Sequence, residues 1–284
     1  MFRFDTTFTL IKKFFIYKVM GSNLFINYSL GGMKVMYRLF GVKLTNALIE
    51  NTAGTIFTGG VSLQDLEREM KKAQEERGIG TVAMSVVEGL KDVENSKLDE
   101  FLDFSLKSID TLTQEGTQEG HLALKLTAFV STDITEKQSQ AQEYFAKNIL
   151  GVSYQQEDNS ILSRAELIKN LNEAGIKNNS EAELDQLIEN LSNDDGEMTA
   201  VHRYAKGHLF PLYGKRSPLM EEIAQKCGGL TSADFTNIDL FEERVRVMTD
   251  YASRQNCLLY VDAEQSFIQA AIESYGQQMT HEHN

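Results

Sequence analysis

Several residue types that mark particular protein classes are scarce in this chain. Its 284 residues include two cysteines, two prolines and no tryptophan. Cys227 and Cys257 are too few for a disulfide-rich scaffold or a four-cysteine zinc site, and they favour a reducing compartment. Because proline is the main interrupter of helices, its scarcity predicts a helix-rich protein.

Basic residues are also in the minority. The chain has 28 Lys and Arg against 41 Asp and Glu, and the resulting net charge of -13 repels polyphosphates, which argues against nucleic-acid binding. Every apolar run is interrupted by charge before it reaches the ~18 residues of a spanning helix, so none is expected. Hydrophobic residues still make up 42% of the chain, enough for a sizeable core.

The first 49 residues differ in charge from the rest of the chain. They carry seven basic residues among large apolar ones and a single acid, Asp5. The basic residues are Arg3, Lys12, Lys13, Lys18, Lys34, Arg38 and Lys43. This composition is typical of a mitochondrial targeting segment or of a basic amphipathic helix lying on an anionic membrane. A surface helix that happens to be basic is the alternative.

The next segments alternate between two kinds of hydrophobic periodicity. Apolar residues spaced by three and four predict a helix from Ser62 to Arg77, with Ser62 as N-cap and Gly78 at its end. The apolar run from Thr81 to Val87 predicts a buried strand, and 97–113 predicts a second amphipathic helix. This alternation favours an α/β fold.

Two further strands carry polar residues on one face. The first runs from Leu122 to Phe129, and its leucines share one face. The second runs from Cys257 to Glu264, and one of its faces holds Leu259, Val261 and Ala263. The opposite faces present Ala123, Lys125 and Thr127 on the first strand and Tyr260, Asp262 and Glu264 on the second. In a parallel barrel these acids would lie near the carboxyl end of the strand, where barrel enzymes build their sites.

The stretch between these strands is rich in helix. Two polar amphipathic helices, Arg164 to Ala174 and Ser180 to Leu191, predict a helical insertion, and a crossover helix from Leu240 to Arg254 precedes the last strand. We divide the chain into a basic segment (1–49), a helical lead-in with two barrel strands (50–150), a helical insertion (151–215) and a crossover helix with a third strand (216–284).

No metal site is expected in this sequence. The run from 192 to 202 contains a glycine, Gly196, that fits the turn of a calcium-binding loop. Aligning that glycine places Leu191 at the first ligand position and His202 at the last, where acidic ligands are required.

Three passages together resemble the mitochondrial proline dehydrogenase family. The first is RLFGVKLTNALIENTAGTIFTGG at 38–60, similar to the helical lead-in of that family. The second is LALKLTAF at 122–129, similar to the strand that bears its barrel lysine. The third is VDAEQSFIQAAI at 261–272, similar to its Asp-Ala-Glu-Gln signature. A helical insertion before the signature agrees with the animal and fungal members.

The resemblance implies a distorted β/α barrel that oxidises L-proline to pyrroline-5-carboxylate and passes electrons from FAD to ubiquinone at the inner mitochondrial membrane. On the matching positions, Lys125 would reach the substrate carboxylate, while Asp262 and Glu264 would organise the polar floor beside the flavin. The alternative is that Lys125 and Asp262 form a structural ion pair between neighbouring strands. No residue is assigned to cofactor binding.

The sequence also departs from the family pattern. Met84 and Ser85 stand where the first barrel strand of the family carries an Asp-Tyr pair, and only the following Glu88 is kept. Val61 stands where the lead-in has a glutamate. Because the sequence ends shortly after the third strand, we expect an incomplete barrel of about three parallel strands, with no cofactor on the isolated chain and FAD only if another polypeptide completes the barrel.

Three functional hypotheses follow from this resemblance. The chain is a noncatalytic relative serving as an accessory subunit of an inner-membrane assembly, one half of a split enzyme, or a fragment of an intact one. The first is favoured, because completing the barrel would not restore the Asp-Tyr pair. It implies a mitochondrial location, at the inner membrane or on the matrix side, and a partner polypeptide that covers the open edge of the sheet.

Overall fold

The computed structural model describes residues 6–84, 93–114, 119–152, 160–176 and 180–283. Its internal contacts divide the chain into two compact units, Met1–Ala83 and Met84–Asn284. The finer division at residues 49, 150 and 215 stays a prediction.

The first unit is helical. It contains α1 (Thr7–Met20), α2 (Asn23–Ile49), a π-helical turn (Glu50–Gly54), α3 (Thr55–Phe57) and α4 (Leu63–Arg77). Thr6 and Ser22 cap the first two helices, and α2 bends at Gly41, whose φ of 75° is outside the helical region. The predicted helix at 62–77 is confirmed, with Ser62 as N-cap and Gly78 in the left-handed conformation at its end.

The second unit holds the sheet and most of the core. In chain order it contains β1 (Ala83–Met84, at the boundary), α5 (Asn95–Leu112), β2 (Gly120–Leu124), a 3-10 turn (Leu126–Ala128), α6 (Thr132–Tyr144), a π-helical turn (Phe145–Ile149), β3 (Ile161–Leu162), α7 (Arg164–Glu173), α8 (Glu181–Leu191), β4 (Met198–Thr199), α9 (Ala200–Lys206), α10 (Pro218–Gly228), α11 (Ser232–Arg254), β5 (Cys257–Val261) and α12 (Gln269–His283). None of the helices in the described ranges is long and apolar enough to cross a membrane.

The sheet is a small parallel one in the order β1-β2-β5. In the pair β2–β5, Gly120 lies opposite Cys257 and Leu124 opposite Val261. Helix α5 packs on β2, α11 packs on β5, and α6 packs against both α10 and α12. The helix-rich α/β class with a three-stranded sheet is therefore confirmed, and it is compatible with part of a β/α barrel.

The strands are shorter than the sequence predicted. The strand expected over 122–129 ends at Leu124, because the chain turns into the 3-10 turn after Lys125. The strand expected over 257–264 ends at Val261, although Asp262 still donates its backbone N–H to the carbonyl of Leu124 at 2.9 Å. Of the strand predicted at 81–87, residues 81–84 are described, and Ala83–Met84 form β1; Ser85 and Glu88 lie outside the described residues.

The two helices of the predicted insertion are confirmed as α7 and α8. Short strands β3 and β4 pair antiparallel beside them, with Leu162 opposite Met198. The buried side chain of Arg203 donates to the carbonyl of Ser160 at 3.0 Å and to the carbonyl of Met198, so one guanidinium ties the two strands together.

A buried charged cluster joins α6, α11 and α12. One guanidinium nitrogen of Arg216, Nη2, lies 3.2 Å from both carboxylate oxygens of Glu242. Tyr275 donates its hydroxyl to Glu242 at 3.0 Å and accepts from the side-chain amide of Gln138 at 2.7 Å. Burial raises the pKa of Glu242 to about 7, against the opposing attraction of Arg216.

Candidate functional site

A row of polar side chains follows one face of the β2–β5 pair. Leu122 and Leu124 are 3% exposed and point into the core, so His121 and Ala123, which alternate with them, point to the other face. The register places Ala123 opposite Tyr260, and Lys125 and Asp262 follow two residues later on their respective strands. The alternation read from the sequence therefore assigns these two side chains to the correct face.

Lys125 and Asp262 meet at the carboxyl ends of β2 and β5. Their charged atoms, Nζ and Oδ2, are 3.8 Å apart, with the lysine side chain 11% exposed and the aspartate 40% exposed. The two predicted site residues thus form an ion pair between neighbouring strands, as the structural alternative expects. Whether either residue has a catalytic role stays a prediction.

The third predicted residue, Glu264, lies beyond the end of β5 and turns back toward β2. Its carboxylate accepts two hydrogen bonds from Thr127, one from the hydroxyl at 2.5 Å and one from the backbone N–H at 3.3 Å. Thr127 is 2% exposed and lies in the 3-10 turn that follows β2. Glu264 therefore binds together the segments that follow the two strands.

The sequence reasoning missed a second pair on the same face. His121 Nδ1 lies 3.0 Å from the hydroxyl oxygen of Tyr260, and the two rings are 5.9 Å apart. His121 Nε2 is 3.8 Å from the carboxylate of Glu119. The alternation that placed Ala123 and Lys125 reaches His121 when it is extended two residues toward the N-terminus, so the signal was present.

This face fits a flavin poorly. An isoalloxazine ring needs walls that exclude water, whereas Leu258 is 43% and Tyr260 46% exposed. The charged ends of Lys125 and Glu264 are already engaged by Asp262 and Thr127. The described residues alone therefore do not enclose FAD, and a flavin would need further walls from outside them.

The loop that contains Gly196 is closed by its own side chains. Gly196 has a φ of 78°, and the side-chain oxygen of Asn193 accepts the backbone N–H groups of Asp195 and Glu197 at 3.0 and 2.8 Å. The side-chain oxygen of Asn193 therefore stabilises the turn through these two hydrogen bonds. Within the described ranges, no group of three or more His, Cys, Asp or Glu residues is placed to hold a metal ion.

Replacement of Lys125 by methionine, which keeps the apolar stem, is expected to lower the free energy of unfolding only slightly, by about 1 kcal/mol. The reason is that water reaches the 40%-exposed carboxylate of Asp262 and stabilises it after the ammonium is lost. Chemical denaturation measures the change. Asp262→Asn serves as the matched variant. The free energy of unfolding of the double variant, Lys125→Met with Asp262→Asn, should fall by no more than that of either single variant. A loss above about 3 kcal/mol would mean that the pair behaves as a fully buried one.

Comparison with known proteins supports the resemblance at a distance. The chain is 24% identical over 189 residues to "Proline dehydrogenase 1, mitochondrial" of Caenorhabditis elegans, an alignment that covers 62% of this chain and 30% of the relative. No protein-family profile and no solved structure matches the chain. The chain thus spans about a third of the length of the curated relative, and the similarity supports a proline dehydrogenase-like relationship.

Proposed function

We propose that this chain is a mitochondrial proline dehydrogenase-like protein that lacks catalytic activity and serves as an accessory subunit of an inner-membrane assembly. The observation that carries the proposal is the free edge of β5, which a partner polypeptide would cover. The mitochondrial location is supported by the name of the relative, which describes a mitochondrial protein.

Strand β5 pairs with β2 along one edge, and no other strand in the described ranges pairs with its second edge. A groove of about 340 Å³ runs along that second edge. It is lined by Cys257–Val261 and by residues of α11 and α12, among them Thr249, Ser253, Gly276 and Met279. Free edges of this kind bind an added strand or aggregate unless they are covered, so this groove is the docking site for a strand of the partner.

The chemistry of the polar face supports the absence of catalysis. Lys125 and Glu264 are held by partners within the chain, and Met84 contributes a half-exposed thioether where the family pattern has an acid. A methionine side chain offers neither a carboxylate nor a hydroxyl to a substrate amine. The isolated chain is therefore expected to carry no FAD.

A second function is favoured by the position of the polar residues. Lys125, Asp262 and Glu264 collect at the carboxyl ends of two parallel strands, which is where β/α barrels place their sites. If another polypeptide supplies further strands, the chain is one half of an FAD-dependent proline dehydrogenase, or a fragment of an intact one, that passes electrons to ubiquinone. In that case the lysine binds the substrate carboxylate.

The absorption spectrum and proline-dependent dye reduction of the purified native assembly separate these two functions. The accessory function predicts no flavin bands from this subunit and no activity that depends on it. Flavin bands together with dye reduction that Lys125→Met abolishes, while the assembly stays intact, would establish the enzyme function instead.

The same preparation tests the partner at β5. Light scattering on native extract should give a mass well above the 32.0 kDa of the chain, and hydrogen exchange at residues 257–261 should slow in the assembly. Leu258→Lys, at a half-exposed position on this strand, should release the partner. The matched variant Leu240→Lys, at a similarly exposed position on α11, should not. A stable monomer in native extract would contradict the accessory function.

A further inference from the structure

Apolar surface is concentrated in the first two helices. Of the 31 large hydrophobic side chains that are exposed among the described residues, 18 lie between Phe8 and Leu48. In α1 and α2 together, Thr45 is the only buried residue. A helix that is apolar on most of its surface is normally covered, either by protein or by lipid.

Helix α1 shows which of its faces is used inside the unit and which is not. Lys12 donates to the backbone carbonyl of Asn51 at 3.3 Å, and the ring of Tyr17 meets the ring of Phe57 edge to face at 5.5 Å. On the side of the helix opposite Tyr17, Phe8, Ile11, Phe15 and Val19 follow the three- and four-residue spacing of a helical stripe. Their side chains are 78%, 61%, 69% and 44% exposed. We call these four residues the outer stripe.

The charge of this region distinguishes between possible partners. Residues 6–49 include six basic side chains and no acidic one, and residues 1–49 carry a net charge of +6, which leaves -19 for the rest of the chain. The Lys18 ammonium lies 5.9 Å from the centre of the Phe14 ring, so a cation sits next to the apolar surface instead of opposite it. Lysine side chains beside exposed phenylalanines can keep their ammonium groups in the headgroup region while the rings enter the acyl chains.

From these observations we infer that residues 7–49 bind the surface of an anionic lipid bilayer, with the outer stripe inserted at the boundary between headgroups and acyl chains. The basic residues bind the lipid headgroups, since each cation close to an anionic surface adds to the attraction. The segment lies along the interface, with its basic side chains at the level of the headgroups. This inference does not depend on the proposed accessory function.

Vesicle flotation of the full chain tests the inference. Binding should be at least about tenfold stronger to phosphatidylcholine vesicles containing about 30% phosphatidylglycerol than to phosphatidylcholine alone, and should weaken at high salt. Exchanging Lys18, Lys34 and Lys43, which are exposed, for glutamine should remove most of this preference. The same exchange at Lys107, Lys169 and Lys226, which are exposed in the second unit, should leave it unchanged.

The outer stripe is tested separately. Phe8→Gln, Ile11→Gln and Phe15→Gln combined should abolish binding to both vesicle types, while circular dichroism and the thermal unfolding midpoint of the second unit stay as in the wild type. Equal binding to neutral and anionic vesicles would overturn the inference. So would an oligomer that these changes convert to a monomer while vesicle binding persists, because the stripe would then cover a second copy of the chain.

Discussion

Arg216→Met is expected to lower the free energy of unfolding by about 3 to 5 kcal/mol at pH 8, because it leaves Glu242 in the core without its charged partner. The side chains of Arg216 and Glu242 are 5% and 6% exposed, so water cannot replace the guanidinium. The arginine also packs over the rings of Phe210 and Phe235, with its central carbon 5.7 and 5.1 Å from the ring centres. Methionine keeps the apolar part of that packing, so the expected loss is mainly electrostatic.

The pH dependence of this loss identifies its cause. Burial already raises the pKa of Glu242 to about 7 from an ordinary value of 4.5, and loss of the Arg216 charge raises it further. A carboxyl whose pKa is raised in the folded state binds its proton more tightly there than in the unfolded chain. Its contribution to stability is fully present below the unfolded pKa, near 4.5, and is lost as pH rises through the folded pKa. The wild type and Arg216→Met should therefore differ least near pH 5 and most near pH 8.

Denaturant unfolding at pH 5, 6.5 and 8 measures this effect. The double variant Arg216→Met with Glu242→Gln should recover part of the loss at pH 8, because the neutral side-chain amide can still accept a hydrogen bond from the hydroxyl of Tyr275. Arg164→Met is the matched control, since it breaks an ion pair with Asp185 in which both side chains are exposed. This control should lower the free energy of unfolding by less than about 1 kcal/mol at every pH. A loss in Arg216→Met that does not vary with pH would show that packing dominates.

Local signals in the sequence predicted the parts of the fold that depend on local interactions. Ser62, the predicted N-cap, accepts a hydrogen bond from the backbone N–H of Asp65, and α4 begins immediately after it. Alternation predicted that Lys125 and Asp262 share a face, because the direction of a side chain on a strand depends only on its position along that strand. The hydrogen bond from Asp262 to Leu124 then fixes the register at that point.

Features that depend on distant segments could not be predicted in this way. Nothing local to Lys125 indicates that the chain turns immediately after it, so the sequence extended the strand to Phe129 although β2 ends at Leu124. The capture of Glu264 by Thr127 joins residues 137 positions apart. The Arg216 cluster likewise gathers Gln138, Glu242 and Tyr275 from three helices, and no spacing in the sequence marks them as neighbours.

Gly228→Ala is expected to lower the free energy of unfolding by about 2 to 3 kcal/mol, because α10 approaches α6 so closely at this residue that a side chain cannot be added. A Cβ atom at Gly228 would lie 2.5 Å from the backbone oxygen of Lys137 and 2.8 Å from the Cβ of Ala141. Neither atom belongs to a side chain that can rotate away, so the two helices would have to separate.

The matched variant for this prediction is Gly276→Ala, in the interior of α12, where an added Cβ meets no atom within 4 Å. The same chemical change should there raise stability by about 0.5 to 1 kcal/mol, because alanine loses less conformational freedom in a helix than glycine. Thermal unfolding followed by circular dichroism should therefore give midpoints that move in opposite directions for the two variants. If both midpoints rise, α10 and α6 have enough space between them for a methyl group, and the close approach of the two helices at Gly228 is not a constraint on the fold.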